Sequence, residues 1–320
     1  MSGLLRKLQP SVTATAMVIL LILVGAASCR QTKGPPKPSV TEKLREAGLA
    51  DHTRHPRLII GVYANRPLLA FVDDKGVRSG FDIEVARFIA KKLGYEGDSE
   101  VRWVEIKTPA DRVKLLVRGD VDLVVASFSI TPARRRDIRF AGPYFVDDQR
   151  VLIRTALKGR ISTIEDLKNP EFRVCTATGS TSEALLKARG IPYIPLDATE
   201  ECFDGVLRGK FDAMSSDRAI LSGFRSEHQG EVTPLSLELA TPDNPGIERI
   251  GIGISKNNPA LQDLVDYFLN KSYLDQQAGS VTAWQTAFNQ YLTPFYGPAT
   301  QPQPDRQPDL LDHDAKAPTR

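Results

Sequence analysis

Histidine is scarce in this chain of 320 residues, and its scarcity excludes a good deal of chemistry. There are four: His52 and His55 early in the chain, His313 near its end, and His228 alone in a polar loop. A Ser–His–Asp triad or a histidine-based metal site needs imidazoles that converge inside the fold. Only His228 could contribute, so no catalytic residue, metal or cofactor is assigned. Cysteine is also scarce, with three residues and no CxxC pair. Charge of one sign is lacking too: the net charge is +3 with Lys and Arg scattered, which leaves no nucleic-acid footprint. The run Arg134–Arg136 is the one basic cluster, and short runs of this kind are usually solvated. Paired carboxylates occur only as sequence neighbours, Asp73-Asp74 and Asp147-Asp148. On a strand such neighbours point to opposite faces, so they read as turn or hinge polar groups. Gly251-Ile252-Gly253 lacks the helix-opening spacing of a dinucleotide loop.

The one long apolar run spans Val12 to Ala27, about sixteen residues that include Thr13 and Thr15. That is short for a membrane span. Arg6 and Lys7 precede it, and Ala26-Ala27-Ser28-Cys29 closes it. A basic start, a short apolar stretch and a small-residue exit read as a secretory signal over residues 1–28; the competing reading is an uncleaved anchor. Residues 29–56, rich in Pro, Lys and Arg around a possible short helix at 41–48, read as a tether. Residues 297–320, dominated by Pro and Asp, read as a disordered tail.

Between these ends, strand and helix signals alternate. Residues 57–63 and 101–106 read as strands, and residues 82–93 as a helix stopped by Gly94. This βαβα order implies an α/β fold with a mostly parallel sheet covered on both faces. About 240 ordered residues exceed one average core, so two α/β lobes are expected. Ligands in such sheets sit beyond the carboxyl ends of strands.

Three strand ends there carry chemistry. The strand at 121–125 runs into Ser127 and Ser129, and Thr131-Pro132 then opens a helix with Arg134 three residues past the cap. Helix-start N–H groups, hydroxyls and a forked guanidinium together suit a carboxylate. The strand at 172–177 leads through Gly179, Ser180, Thr181 and Ser182 into another helix. A third short strand delivers Asp217, which could take an ammonium. One seat for a carboxylate and one for an amine describe an α-amino acid.

Gly80-Phe81-Asp82-Ile83-Glu84, Gly119-Asp120-Val121-Asp122, Ser127-Phe128-Ser129-Ile130-Thr131 with Arg134, and Pro143-Tyr144-Phe145 resemble the bacterial extracellular solute-binding proteins of family 3. These are polar amino-acid receptors of ABC importers. The resemblance covers about residues 57–296. The pattern around Cys175, Gly179-Ser180-Thr181-Ser182 and Cys202 is most similar to actinobacterial glutamate/glutamine-binding lipoproteins.

The resemblance implies a two-lobed periplasmic-binding-protein type II fold with the ligand between the lobes. Lobe 1 would comprise residues 57–148 and 248–296, and lobe 2 residues 149–247. Arg134 would clamp the α-carboxylate, Ser127, Ser129 and Thr181 would donate to it with Ser180 beside them, and Asp217 would hold the α-amino group. Ala26-Ala27-Ser28-Cys29 resembles a lipobox, with lipid on Cys29 holding the body at the outer face of the membrane. The implied partners are a small amino-acid ligand and an importer permease; the receptor would be a monomer that closes about a hinge. A dehydratase for aromatic keto or amino acids, built on the same fold, is the competing reading.

Two further expectations follow. The family usually places a side-chain-covering aromatic where this chain has Arg66. An arginine facing the cleft would suit a side-chain carboxylate, favouring glutamate or aspartate over glutamine or basic amino acids. The alternative is that Arg66 points to solvent while Tyr63 or Phe128 covers the ligand. With Cys29 assigned to lipid, Cys175 and Cys202 remain as an even pair in an oxidising compartment, and a disulfide is expected; the alternative is two separate core residues.

Overall fold

The computed structural model describes residues 37–312 apart from 238, 242 and 243. The signal segment and Cys29 therefore lie outside the described residues. Helix α1 (Val40–Glu46) starts at Ser39, whose hydroxyl accepts from the Glu42 N–H while the Glu42 carboxylate reaches back, a reciprocal cap. Strand β1 (Leu58–Val62) leads into a small antiparallel sheet of β2 (Asn65–Arg66), β3 (Ala70–Val72) and β4 (Arg78–Ser79). Then come α2 (Phe81–Lys92), β5 (Val101–Glu105), α3 (Asp111–Arg118), β6 (Leu123–Ser129) and the short α4 (Pro132–Arg135).

Strand β7 (Ile138–Arg154) is seventeen residues long and belongs to both lobes. Its first part pairs antiparallel with β12 (residues 247–255) and its second part with β10 (residues 213–217). After it follow α5 (Ile164–Lys168), β8 (Val174–Ala177), α6 (Thr181–Ala188), β9 (Ile194–Leu196) and α7 (Thr199–Leu207). Then β10 (Ala213–Asp217), α8 (Arg218–Glu227) and β11 (Val232–Leu235) complete the second lobe. The chain returns through β12 (Ile247–Ser255) to α9 (Pro259–Gln277), α10 (Ala283–Tyr291) and α11 (Thr293–Tyr296).

The main sheet runs β5-β1-β6-β12-β7-β10-β8-β9, with β11 on β7. Each lobe has a parallel block, β5-β1-β6 in the first and β10-β8-β9 in the second. β12 and β7 run antiparallel between them. The two-lobed α/β architecture is as the sequence implies, and β7 and β12 lie side by side between the two parallel blocks. An aromatic cluster seals the first lobe: Phe81 meets the rings of Phe145, Trp284 and Phe288 at 5.5–5.7 Å. The second lobe has its own core of Val151, Ile153, Val174, Leu185 and Leu186.

Both proposed flexible ends need correction within the described residues. In the stretch read as a tether, α1 lays Val40 and Leu44, four residues apart on one face, into the core together with Ala47 and Leu49. The stretch after residue 296 is not disordered through residue 312. The Gln301 side chain is buried, accepting from Ser272 Oγ at 2.8 Å and donating to the Leu269 carbonyl at 2.9 Å. Leu310 is buried, and the Asp305 N–H donates to the Gly142 carbonyl. The two segments also pair with each other, Val40 N–H to the Leu311 carbonyl and Leu311 N–H to the Pro38 carbonyl. A Pro-rich extended chain packs through a few anchors, which composition alone does not show.

Candidate functional site

The carboxyl ends of β6, β8 and β10 converge where the lobes meet. On the first lobe, β6 runs through Ser129 rather than stopping at Val125, and all seven of its residues are buried. Thr131 caps α4, accepting from the Arg134 N–H at 3.2 Å, with Pro132 in the first turn. This sets Arg134 at the mouth of the cleft. Its Nη1 donates to the Ser129 carbonyl at 2.7 Å, and its Nη2 reaches across to the Gly179 carbonyl at 3.3 Å. The lobes are therefore closed on one another. Arg112 lies behind, fully buried, donating to the carbonyls of Pro109, Ala126 and Ser127. Both guanidiniums sit by the Phe128 ring, at 4.6 Å for Arg112 and 5.1 Å for Arg134. Neither has a carboxylate partner among the described residues. Burial first, and Arg112 next, press the Arg134 guanidinium below the ordinary arginine range. An arginine keeps its proton, so this pressure is relieved by an anion.

The opposite wall carries the opposite charge. Asp217, at the end of β10, is buried and accepts from Gln149 Nε2 at 2.6 Å. The same nitrogen faces Glu248 Oε1 at 3.0 Å and Thr181 Oγ1 at 3.2 Å, while Ser182 Oγ donates to Gln149 Oε1. Gln149 thus ties β7, β10, β12 and α6 together at the hinge. Burial, then the neighbouring Glu248 and Asp147, push Asp217 well above the usual carboxylate range. Asp147, which accepts the Ala219 N–H at the start of α8, is pushed up to about 7, mainly by burial. Carboxylates crowded and desolvated in this way favour a cation between them.

Several expected residues have other engagements. Ser127 is one of two non-glycine residues with positive φ among the described residues, at 44°. Its N–H and hydroxyl both donate to Asp82 Oδ2 at 2.9 Å, and Tyr144 donates to Asp82 Oδ1. That triple anchor holds a conformation a serine rarely adopts. Ser180 is the cap of α6, accepting from the Glu183 N–H at 3.0 Å. Arg66 does not point to solvent: it is 3 % exposed, lies 3.3 Å over the Tyr63 ring, and reaches the second lobe at Glu200 and Thr199. Cys175 and Cys202 form a disulfide with Cα atoms 5.8 Å apart.

Arg112, Gln149, Glu200 and Glu248 are the functional candidates that sequence reasoning misses. Each acts through a partner between 15 and 134 positions away, and no local motif announces it. Asp147 has only a faint signal in the sequence, as one of two neighbouring carboxylates read as turn or hinge polar groups. Among the described residues, the arrangement offers two guanidiniums without a carboxylate partner on one wall, and two carboxylates, without a cationic partner, whose charge reaches them. A small zwitterion complements both.

The model for bacterial extracellular solute-binding proteins, family 3, matches residues 58–284. A glutamate-binding protein of Corynebacterium efficiens is 29 % identical over 71 % of this chain and 78 % of its own length. An ABC transporter glutamine-binding protein of Bacillus subtilis is 28 % identical, covering 81 % of this chain and 91 % of its own. Among solved structures, the solute receptor for L-cysteine of Neisseria gonorrhoeae superposes with a TM-score of 0.66 at 25 % identity, covering 78 % of this chain and 95 % of that one.

Proposed function

Because this chain belongs to the bacterial extracellular solute-binding proteins of family 3, we propose that it is the amino-acid receptor of an ABC importer, taking glutamate or glutamine. The observation that carries this is the split cleft: among the described residues Arg134, with Arg112 behind it, has no carboxylate partner, and Asp217, with Glu248, has no cationic one. An α-carboxylate would dock on Arg134 beside the start of α6 at Thr181, and an α-ammonium on Asp217. Asp147 and Gln149 would hold the hinge rather than touch the ligand. A ligand touching both lobes favours the closed state by its differential contacts there, and the closed receptor is what the permease would read. Relatives named for glutamate and glutamine support that ligand pair.

The remaining placement is part of the same proposal. Lipid on Cys29 would tether the body to the outer face of the membrane as a monomer. No helix among the described residues is long and apolar enough to cross a membrane.

Calorimetric titration of the protein with polar amino acids, beside Arg134→Ala, tests the reading. Removing the forked partner of a desolvated carboxylate costs about 2–5 kcal/mol, at least roughly 30-fold in Kd. Equal affinity in the variant would make Arg134 a surface charge.

A further inference from the structure

Arg66 alone would suit a side-chain carboxylate; its partner reverses that preference. Arg66 stands on β2 of the first lobe, and its Nε lies 3.1 Å from Glu200 Oε1. Its Nη2 donates to Thr199 Oγ1 at 3.2 Å. Thr199 and Glu200 form the first turn of α7 in the second lobe. The ion pair therefore exists only when the lobes meet. The charge of Asp217 also acts on Arg66. The nearby Tyr63 hydroxyl, on a side chain 1 % exposed, has no hydrogen-bond partner among the described residues.

We infer that Arg66 and Glu200 together read the far end of the ligand side chain, and that they select a carboxamide over a carboxylate. This rests on the amino-acid-receptor reading and narrows it to glutamine. The pair presents a donor and an acceptor whose charges cancel. A carboxamide answers both, its carbonyl oxygen accepting from Arg66 and its NH2 donating to Glu200. A γ-carboxylate satisfies Arg66 but sets a second anion against Glu200 in a buried site, and like charges so placed are strongly disfavoured. A site built around hydrogen bonds to one group discriminates against the analogue that leaves them unmade. In the closed lobes with no ligand side chain between them, the two side chains satisfy each other, so neither is stranded there. Discrimination here has an attractive element, Arg66, and a repulsive one, Glu200.

Competition calorimetry at pH 7.5 with glutamine and glutamate on the intact chain and on Glu200→Gln decides the matter. The parent protein is expected to bind glutamine at least about tenfold more tightly than glutamate. Glu200→Gln removes the repulsive charge and should collapse or invert that ratio. A parent protein that prefers glutamate overturns the inference, and this arm needs no variant to fold. A ratio unchanged in Glu200→Gln overturns it equally. If neither these nor any other α-amino acid binds the parent, the receptor reading itself falls and takes this inference with it. That outcome is distinct from amino-acid binding with the wrong preference.

Discussion

Asp266 shows how much a single buried carboxylate can weigh in this protein. It is fully buried on α9, accepts the Gly142 N–H at 2.8 Å, and meets Arg306 at 3.3 Å. Burial nevertheless pushes it up to about 7, against the pull of those partners. The folded chain therefore keeps this proton to higher pH than the unfolded chain does. Where the native state binds more protons, stability falls as pH rises. The loss starts near the ordinary aspartate range and is complete just above about 7; Asp147 adds in the same direction. Asp266→Asn stays neutral and keeps an acceptor for Gly142. Thermal unfolding at pH 5 and pH 8 should show the variant gaining on the parent at the higher pH, by on the order of 1–3 kcal/mol. Parallel behaviour at both pH values would remove Asp266 from the account. At this scale, Arg134 and Asp217 are legible because each has a local signal, Arg134 a Thr-Pro helix cap just before it and Asp217 the end of a short strand. Arg112, Gln149 and Glu248 are not, because their meaning comes from partners on distant strands.

Two elements carry the closed state and the second lobe. Helix α8 holds Gly223 in its middle, a residue that costs about 1 kcal/mol there relative to alanine. A Cβ on Gly223 would meet the Pro67 carbonyl oxygen of the first lobe at 2.2 Å. The glycine lets the helix approach the backbone beside Arg66. Gly223→Ala should therefore leave thermal stability equal or higher while weakening amino-acid affinity at least about tenfold, roughly 1.4 kcal/mol, because the lobes cannot fully close. Unchanged affinity would show that closure tolerates the methyl. The second element is the joint of β8 and α7, tied by Cys175 and Cys202, which are both fully buried. On the chain-entropy model a cross-link over 27 positions stabilises by roughly 3 kcal/mol. Replacing both cysteines with alanine should lower denaturant stability by about that amount and leave binding weakened but present. Stability unmoved by the double replacement would contradict it. The pairing is legible in the sequence because an even pair remains once Cys29 is set aside. Helix and strand positions are legible to within a few residues. The continuation of β6 through Ser129 is not, since it requires β12 as a neighbour and Asp82 as an anchor for Ser127.

At the scale of the whole molecule, the order of elements and the two lobes follow from alternating strand and helix signals plus chain length. The packed ends do not. Residues 38–49 and 297–312 are too polar to announce a core role, and they find it by pairing with each other and with α9. The proposed function rests on a balance that no single segment displays: among the described residues, Arg112 and Arg134 have no carboxylate partner, and Asp217 and Glu248 have no cationic one. The most direct measurement is native mass spectrometry of the intact protein, as purified and after addition of glutamine or glutamate. One amino acid is expected to be retained per chain, and to be lost in Arg134→Ala. A protein that retains no amino acid under these conditions would contradict it.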